Sequence, residues 1–95
     1  MNERYKYIIV GERKSNGCSA YVIVYPEKNW FEYTHLISKA SKYDTYEEAK
    51  NAMTKYCKED DYHRFYVGRL DTQYYVVDEV KEDELNEIIK NIEFS

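Results

Sequence analysis

The chain has 95 residues, enough for one domain but too few for two independent hydrophobic cores, and we expect residues 1–95 to form a single unit. Its net charge is −4, and its 12 tyrosines far outnumber its three phenylalanines and one tryptophan. No apolar run approaches the ~18 residues that span a bilayer, and the first residues lack the apolar stretch of a signal peptide, which predicts a cytoplasmic protein with no membrane contact.

Two segments rich in β-forming residues, 4–12 and 18–25, begin the chain. Between them Asn16-Gly17 is the preferred centre of a two-residue type I′ turn, which would set Val10 opposite Ile23. Both faces of this hairpin are apolar near the strand centres. We therefore expect a helix to cover one face and a second chain to cover the other.

The middle of the chain carries the signature of a capped helix. Thr45 and Glu48 match a capping box, and apolar residues then recur at helical spacing over residues 46–58. Residues 30–37, which precede this helix, are compatible with a third strand or with an extended loop.

The remaining segments complete the predicted fold. Residues 65–70 and 74–80 are typical of two further strands, and residues 81–92 form an acidic amphipathic pattern typical of a helix. The sequence thus predicts an α+β fold in which an antiparallel β-sheet of about four or five strands packs with two helices, in the order β-β-(β)-α-β-β-α.

Residues 37–49, from the Ile-Ser pair through the capping box to Ala49, resemble a stretch common in small proteins of unknown function from Firmicutes phages and prophages. In those proteins a strand pair precedes the stretch and a Tyr/Val-rich strand follows the helix, as residues 74–80 do here. The resemblance covers about half the chain. It implies a phage or prophage accessory protein that binds or inhibits another protein, and it brings no catalytic residues.

No catalytic, cofactor or metal motif is recognisable in the sequence. The three glycines are scattered, so a phosphate-binding loop is excluded. Cys18 and Cys57 stand far apart in no ligand or redox spacing, and we expect both to be reduced thiols. The nearest approach to a metal site is the run Asp60-Asp61-Tyr62-His63, which is more typical of a solvated helix end, and His35 lies elsewhere in the sequence. We therefore expect no enzymatic activity, no cofactor and no metal.

The surplus of tyrosine and the two apolar faces of the first hairpin favour a non-catalytic protein-interaction module, either a homodimer or a binder of another protein. The residues expected at the contact belong to the first hairpin and to the segment after it: Tyr7, Ile9, Val22, Val24, Trp30, Phe31 and Tyr33.

Uneven charge leaves two alternatives, since residues 1–42 carry +3 and residues 43–95 carry −7. An acidic surface could imitate the phosphates of DNA and inhibit a host protein; its candidate residues are Asp78, Glu79, Glu82, Asp83, Glu84 and Glu87. A single-stranded nucleic-acid binder is the other alternative, which the negative net charge disfavours. The basic and aromatic residues that suggest it are Arg4, Lys6, Arg13 and Lys14 with Tyr5, Tyr7 and Tyr21.

Overall fold

The computed structural model describes residues 4–58 and 63–81. These residues form five β-strands and one α-helix: β1 (Tyr5–Arg13), β2 (Ser19–Tyr25), β3 (Trp30–Thr34), α1 (Tyr46–Tyr56), β4 (His63–Asp71) and β5 (Val76–Glu79). Two short 3-10 turns, Pro26–Lys28 and Ile37–Lys39, flank β3. The α+β class is confirmed, and residues 30–34 are a strand. The helix predicted over 81–92 lies outside the described residues, apart from its first position.

The strands form one antiparallel sheet in the order β3-β2-β1-β4-β5. β1 is central because it pairs with β2 through the first hairpin and, along its whole length, with β4. This arrangement places β3 and β5 at the two edges of the sheet.

The first hairpin pairs in a register two residues away from the predicted one. Val10 lies opposite Tyr21, so the predicted pairing of Val10 with Ile23 is wrong. Because side chains alternate between the faces of a strand, a shift of two residues leaves every side chain on its predicted face. The apolar character of both faces is unaffected.

The difference in register originates in the turn. Five residues, 14–18, separate β1 from β2, and the Gly17 N–H donates to the carbonyl of Arg13 at 2.8 Å. A type I′ turn needs positive φ at both Asn16 and Gly17, and only Gly17 adopts it, at 70°. The Asn16 side chain instead accepts a hydrogen bond from the backbone N–H of Cys18 at 3.0 Å. This local bond stabilises the longer turn.

Residues 41–43 form hydrogen bonds to both strands of the first hairpin. The Ser41 N–H donates to the carbonyl of Val22 at 3.1 Å, and Tyr43 exchanges two backbone hydrogen bonds with Tyr7, each of 2.8 Å. This segment therefore satisfies backbone groups of β1 and β2 where these strands no longer pair with each other.

α1 begins and packs as its sequence predicts. The Glu48 N–H donates to the Thr45 hydroxyl at 3.1 Å, and the Glu48 carboxylate accepts from the N–H of Asp44 at 3.3 Å. The helix lies against β1 and β4. Its apolar side buries Ala49 and packs Met53 against the sheet.

Each face of the sheet has its own apolar cluster. The cluster under α1, on what we call the helix-bearing face, joins Ile9, Val22, Val24 and Cys57 with Phe31, Tyr43, Ala52, Met53, Tyr56 and Phe65. The cluster on the opposite face joins Ile8, Val10, Ala40 and Leu70 with Tyr21, Ile37, Tyr66 and Val77. A helix covers one face of the first hairpin, as predicted, but residues 37–40 of the same chain, and not a second chain, supply part of the cover of the other face.

Among residues 4–58 and 63–81, no helix is long and apolar enough to cross a bilayer.

Candidate functional site

Large apolar side chains are exposed on β3, one of the two edge strands, and just after it. Trp30 is 58% exposed, Tyr33 is 41% exposed and Leu36 is 54% exposed, whereas Phe31 is half-buried. We call these four residues the β3 edge. A monomeric surface rarely gathers such side chains on one strand, so this edge is a candidate contact surface.

The β3 edge is positioned by the turn that follows β2. Pro26 opens a 3-10 turn, where its fixed φ is favourable, and Asn29 closes it with φ of 51°. Asparagine tolerates this left-handed conformation better than most residues. The chain then reverses, and Trp30 pairs opposite Tyr25 at the start of β3.

Aromatic rings of β3 and β4 meet on the helix-bearing face. The Tyr33 ring is stacked on that of His63 at 5.1 Å between centroids, and it lies nearly parallel to the Phe65 ring at 6.3 Å. Phe31 meets Phe65 edge-to-face at 5.8 Å. β3 and β4 are three places apart in the sheet, so these rings reach towards each other across β2 and β1.

Gly11 makes this approach possible. A Cβ added at Gly11 would stand 2.8 Å from Cε1 of Tyr33, which is closer than a methyl group allows, and in tight contact with Cε1 of Phe65 at 3.2 Å. The residue opposite Gly11 on β2 is the small Ala20. Gly11 and Ala20 lie side by side, and their small size leaves space above the sheet for the aromatic rings.

An open hollow of about 340 Å³ lies on the helix-bearing face, at the end near the first hairpin turn. Its lining residues come from four strands and a turn: Gly11, Arg13, Cys18, Ser19, Ala20, Tyr33, His35 and His63. The sequence analysis set His35 apart from His63, and the structure brings both to one site. The alternation of β3 indicates that His35 faces the same way as Tyr33, but only the pairing of β1 with β4 brings His63 there.

Three of the seven residues predicted at a contact lie in the core instead. Ile9 and Val22 are fully buried and Val24 nearly so, because α1 covers them. The expectation that they face a second chain is wrong. Tyr7 is half-buried and packs edge-to-face against Tyr46 of α1 at 6.4 Å. The other three, on β3, remain the candidate contact residues.

The predicted acidic surface is described only at its first two residues. Glu79 is paired with Arg64 at 3.3 Å, and Asp78 lies opposite Arg69 in the β4–β5 pairing. Arg64 therefore offsets the charge of Glu79, which does not favour a phosphate-like surface at this residue. Glu82, Asp83, Glu84 and Glu87 lie outside the described residues.

The basic and aromatic residues of the first hairpin do not form one surface. Arg4 pairs with Asp71 at 3.0 Å and lies over the ring of Tyr5. Arg13, at the other end of β1, lines the hollow. Tyr21 belongs to the cluster on the opposite face. The basic and aromatic residues that suggested binding of single-stranded nucleic acid thus lie at both ends and on both faces of the sheet.

The two cysteines are free thiols, as predicted. Cys18 is exposed beside the hollow, and Cys57 is buried beneath α1. Burial raises the pKa of the Cys57 thiol to about 11 because the apolar surroundings disfavour the thiolate. Cys57 is therefore a core residue without nucleophilic character at neutral pH.

Within the described part of the chain, no group of three or more His, Cys, Asp or Glu side chains is placed to hold a metal ion. Comparisons with protein-family models, with curated proteins and with solved structures give no match for this chain.

Proposed function

We propose that this protein is a non-catalytic interaction module that associates with a second copy of itself through the β3 edge. The proposal retains the expectations that the protein is a cytoplasmic phage or prophage accessory protein and that residues 81–92 form a second helix. Inhibition of a host protein through an acidic surface is an alternative that depends on residues outside the described ranges.

One observation carries this proposal: Trp30, Tyr33 and Leu36 are each more than two-fifths exposed on or beside an edge strand. Tryptophan and tyrosine are the residues that most often contribute strongly to protein–protein binding, because each buries a large area at low entropic cost. A strand at the edge of a sheet also offers backbone N–H and C=O groups to another strand. The exposed side chains and the edge backbone of β3 thus both favour contact with another protein chain.

A second copy is the simplest partner for such an edge, since two identical β3 strands can pair antiparallel about a two-fold axis. Residues directly opposite each other then lie on the same face. An axis at Glu32 would set two carboxylates opposite each other, which is unfavourable. We therefore favour a register centred on Tyr33, in which Glu32 lies opposite Thr34 of the other copy.

Sedimentation velocity across the micromolar range tests this association. We expect the wild-type protein to shift from monomer to dimer with increasing concentration, and Trp30→Lys to weaken the dimer about thirtyfold, the effect of losing a strong contact residue. Glu32→Gln keeps the edge and removes a charge near the axis, so it should dimerise at least as tightly as the wild type.

Tyr74→Lys is the matched control, because Tyr74 is equally exposed but lies in the turn leading to the opposite edge strand. Its dimerisation should equal that of the wild type. A wild-type protein that remains monomeric over this range, or a Trp30→Lys variant that dimerises like the wild type, would contradict the proposal.

A further inference from the structure

The hollow beside the first hairpin turn is lined by one arginine and by several side chains that can form hydrogen bonds. The Arg13 guanidinium and the imidazoles of His35 and His63 belong to its lining, and Tyr33 contributes a phenol. Its volume of about 340 Å³ is at the lower end of the range for small-molecule sites. The hollow is thus large enough for a ligand of nucleotide size.

Carboxylates are absent from the described lining of this hollow. The two nearest along β1 and β3 alternate to the opposite face. There Glu12 approaches Arg64 at 3.7 Å, and Glu32 accepts a hydrogen bond from the Tyr25 hydroxyl. Since the described residues of the lining include the positive charge of Arg13 and no carboxylate, they favour an anionic ligand.

The wall of the hollow is aromatic. Tyr33 and His63 are stacked at 5.1 Å with 23° between their planes, and the floor beneath them is made of Gly11 and Ala20. Protein sites that bind single nucleotides or single strands combine ring surfaces for the base with cations for the phosphate. Both components meet here within one small volume.

We propose that the hollow binds a nucleoside monophosphate group, with the base against the Tyr33–His63 pair and the phosphate at Arg13 and His35. The group is either a free mononucleotide or the 5′-phosphorylated end of a single strand, which share this chemistry. Tyr33 belongs both to this site and to the β3 edge, whereas Arg13, His35 and His63 belong to the site alone.

Titration of isotopically labelled full-length protein, followed by amide NMR shifts, tests the site. The probes are adenosine 5′-monophosphate, adenosine, ribose 5-phosphate and inorganic phosphate. We expect saturable shifts at residues 11–20, 33–35 and 63 with the mononucleotide, and at least about tenfold weaker binding of each fragment, because each fragment lacks one of the two contacts.

Variants assign the binding to the hollow. Arg13→Gln should weaken mononucleotide binding about tenfold or more, the usual consequence of losing a charge-assisted hydrogen bond. Lys39→Gln, which removes the same charge at an exposed position outside the lining, should bind like the wild type. The affinity of a short oligonucleotide with a 5′-phosphate is then compared with that of the mononucleotide. Tighter binding of the oligonucleotide identifies the end of a single strand as the ligand, and tighter binding of the mononucleotide identifies the free nucleotide.

Three results would overturn the proposal: no saturable shift at the hollow, binding of inorganic phosphate as tight as that of the mononucleotide, or an Arg13→Gln variant with unchanged affinity. The fold of each variant is checked by its amide spectrum, so that loss of structure is not mistaken for loss of binding.

Discussion

Tyr75 occupies a backbone conformation that Gly17 occupies in the other hairpin turn. Each is the fourth residue after the preceding strand, each donates its N–H to the carbonyl four residues earlier, and each has positive φ, 55° for Tyr75 and 70° for Gly17. For a residue with a side chain, this left-handed conformation costs roughly 1–2 kcal/mol. The 65% exposed ring of Tyr75 offsets little of that cost by burial.

We predict that Tyr75→Gly stabilises the protein by about 0.5–1 kcal/mol, because relief of the left-handed strain exceeds the added entropy of the unfolded chain. Urea unfolding measures the difference. Tyr74→Gly is the matched control, since Tyr74 has an ordinary φ and holds a cation–π contact with Arg4; it should destabilise. Loss of stability in Tyr75→Gly would contradict the assignment of strain.

The buried thiol of Cys57 gives stability a pH dependence. Its pKa is raised from 9.0 to about 11 by burial, so folding favours the protonated thiol. That contribution is fully present below pH 9 and is lost as the pH rises through 11, which amounts to about 2–3 kcal/mol at most.

We therefore predict that the free energy of unfolding falls between pH 9 and pH 11, and that Cys57→Ala falls less over the same interval. Burial also raises the pKa of Tyr43, and the comparison of the two proteins removes that shared contribution. Parallel pH profiles for the wild type and Cys57→Ala would show that the thiol is not buried as described.

Segment 41–43 shows how a short connection stabilises the sheet. The Ser41 hydroxyl accepts a hydrogen bond from the N–H of Val24 at 2.8 Å, and the Ser41 N–H bonds to Val22 on the same strand. Val24 is nearly buried, so its N–H has little access to water. One serine thus satisfies backbone groups of β2 that β1 does not reach.

We predict that Ser41→Ala lowers the free energy of unfolding by about 1–3 kcal/mol, the cost of leaving a buried N–H unsatisfied. Ser38→Ala, three residues earlier and exposed, should change it by less than about 0.5 kcal/mol. Equal stabilities of the two variants, measured by denaturant unfolding, would contradict the role given to segment 41–43.

Local sequence signals predicted the elements well. The capping box at Thr45 placed the start of α1, and the alternation of the first two strands placed their side chains on the correct faces. The register of the first hairpin was mispredicted because Asn16-Gly17 fits two turn lengths, and the choice between them depends on a side-chain bond to Cys18.

The site was harder to predict than the elements, for a physical reason. The composition of β3 identified Trp30 and Tyr33 as candidate contact residues. The hollow, in contrast, depends on the pairing of β1 with β4, which joins residues more than 40 positions apart and leaves no periodic signal in the sequence. For the same reason Ile9, Val22 and Val24 could not be recognised as residues covered by α1.

At the scale of the whole molecule, the sheet has a buried central strand and two edge strands that differ in composition. The central β1 is buried on both faces, with Ile8, Ile9 and Val10 at most 2% exposed. The β5 edge carries two charges that oppose pairing with another strand, Asp78 and Glu79, beside the exposed Val76, whereas the β3 edge carries three aromatic residues and a single charge, Glu32. This asymmetry is why we assign association to β3.

Amide hydrogen exchange at low and high protein concentration tests the assigned edge most directly, because strand pairing protects the backbone of the strands that pair. We predict that exchange of the amides in residues 30–34 slows as the dimer forms, while exchange of residues 76–79 at the opposite edge stays the same. A dimer in which residues 30–34 exchange as fast as in the monomer would contradict association through the β3 edge.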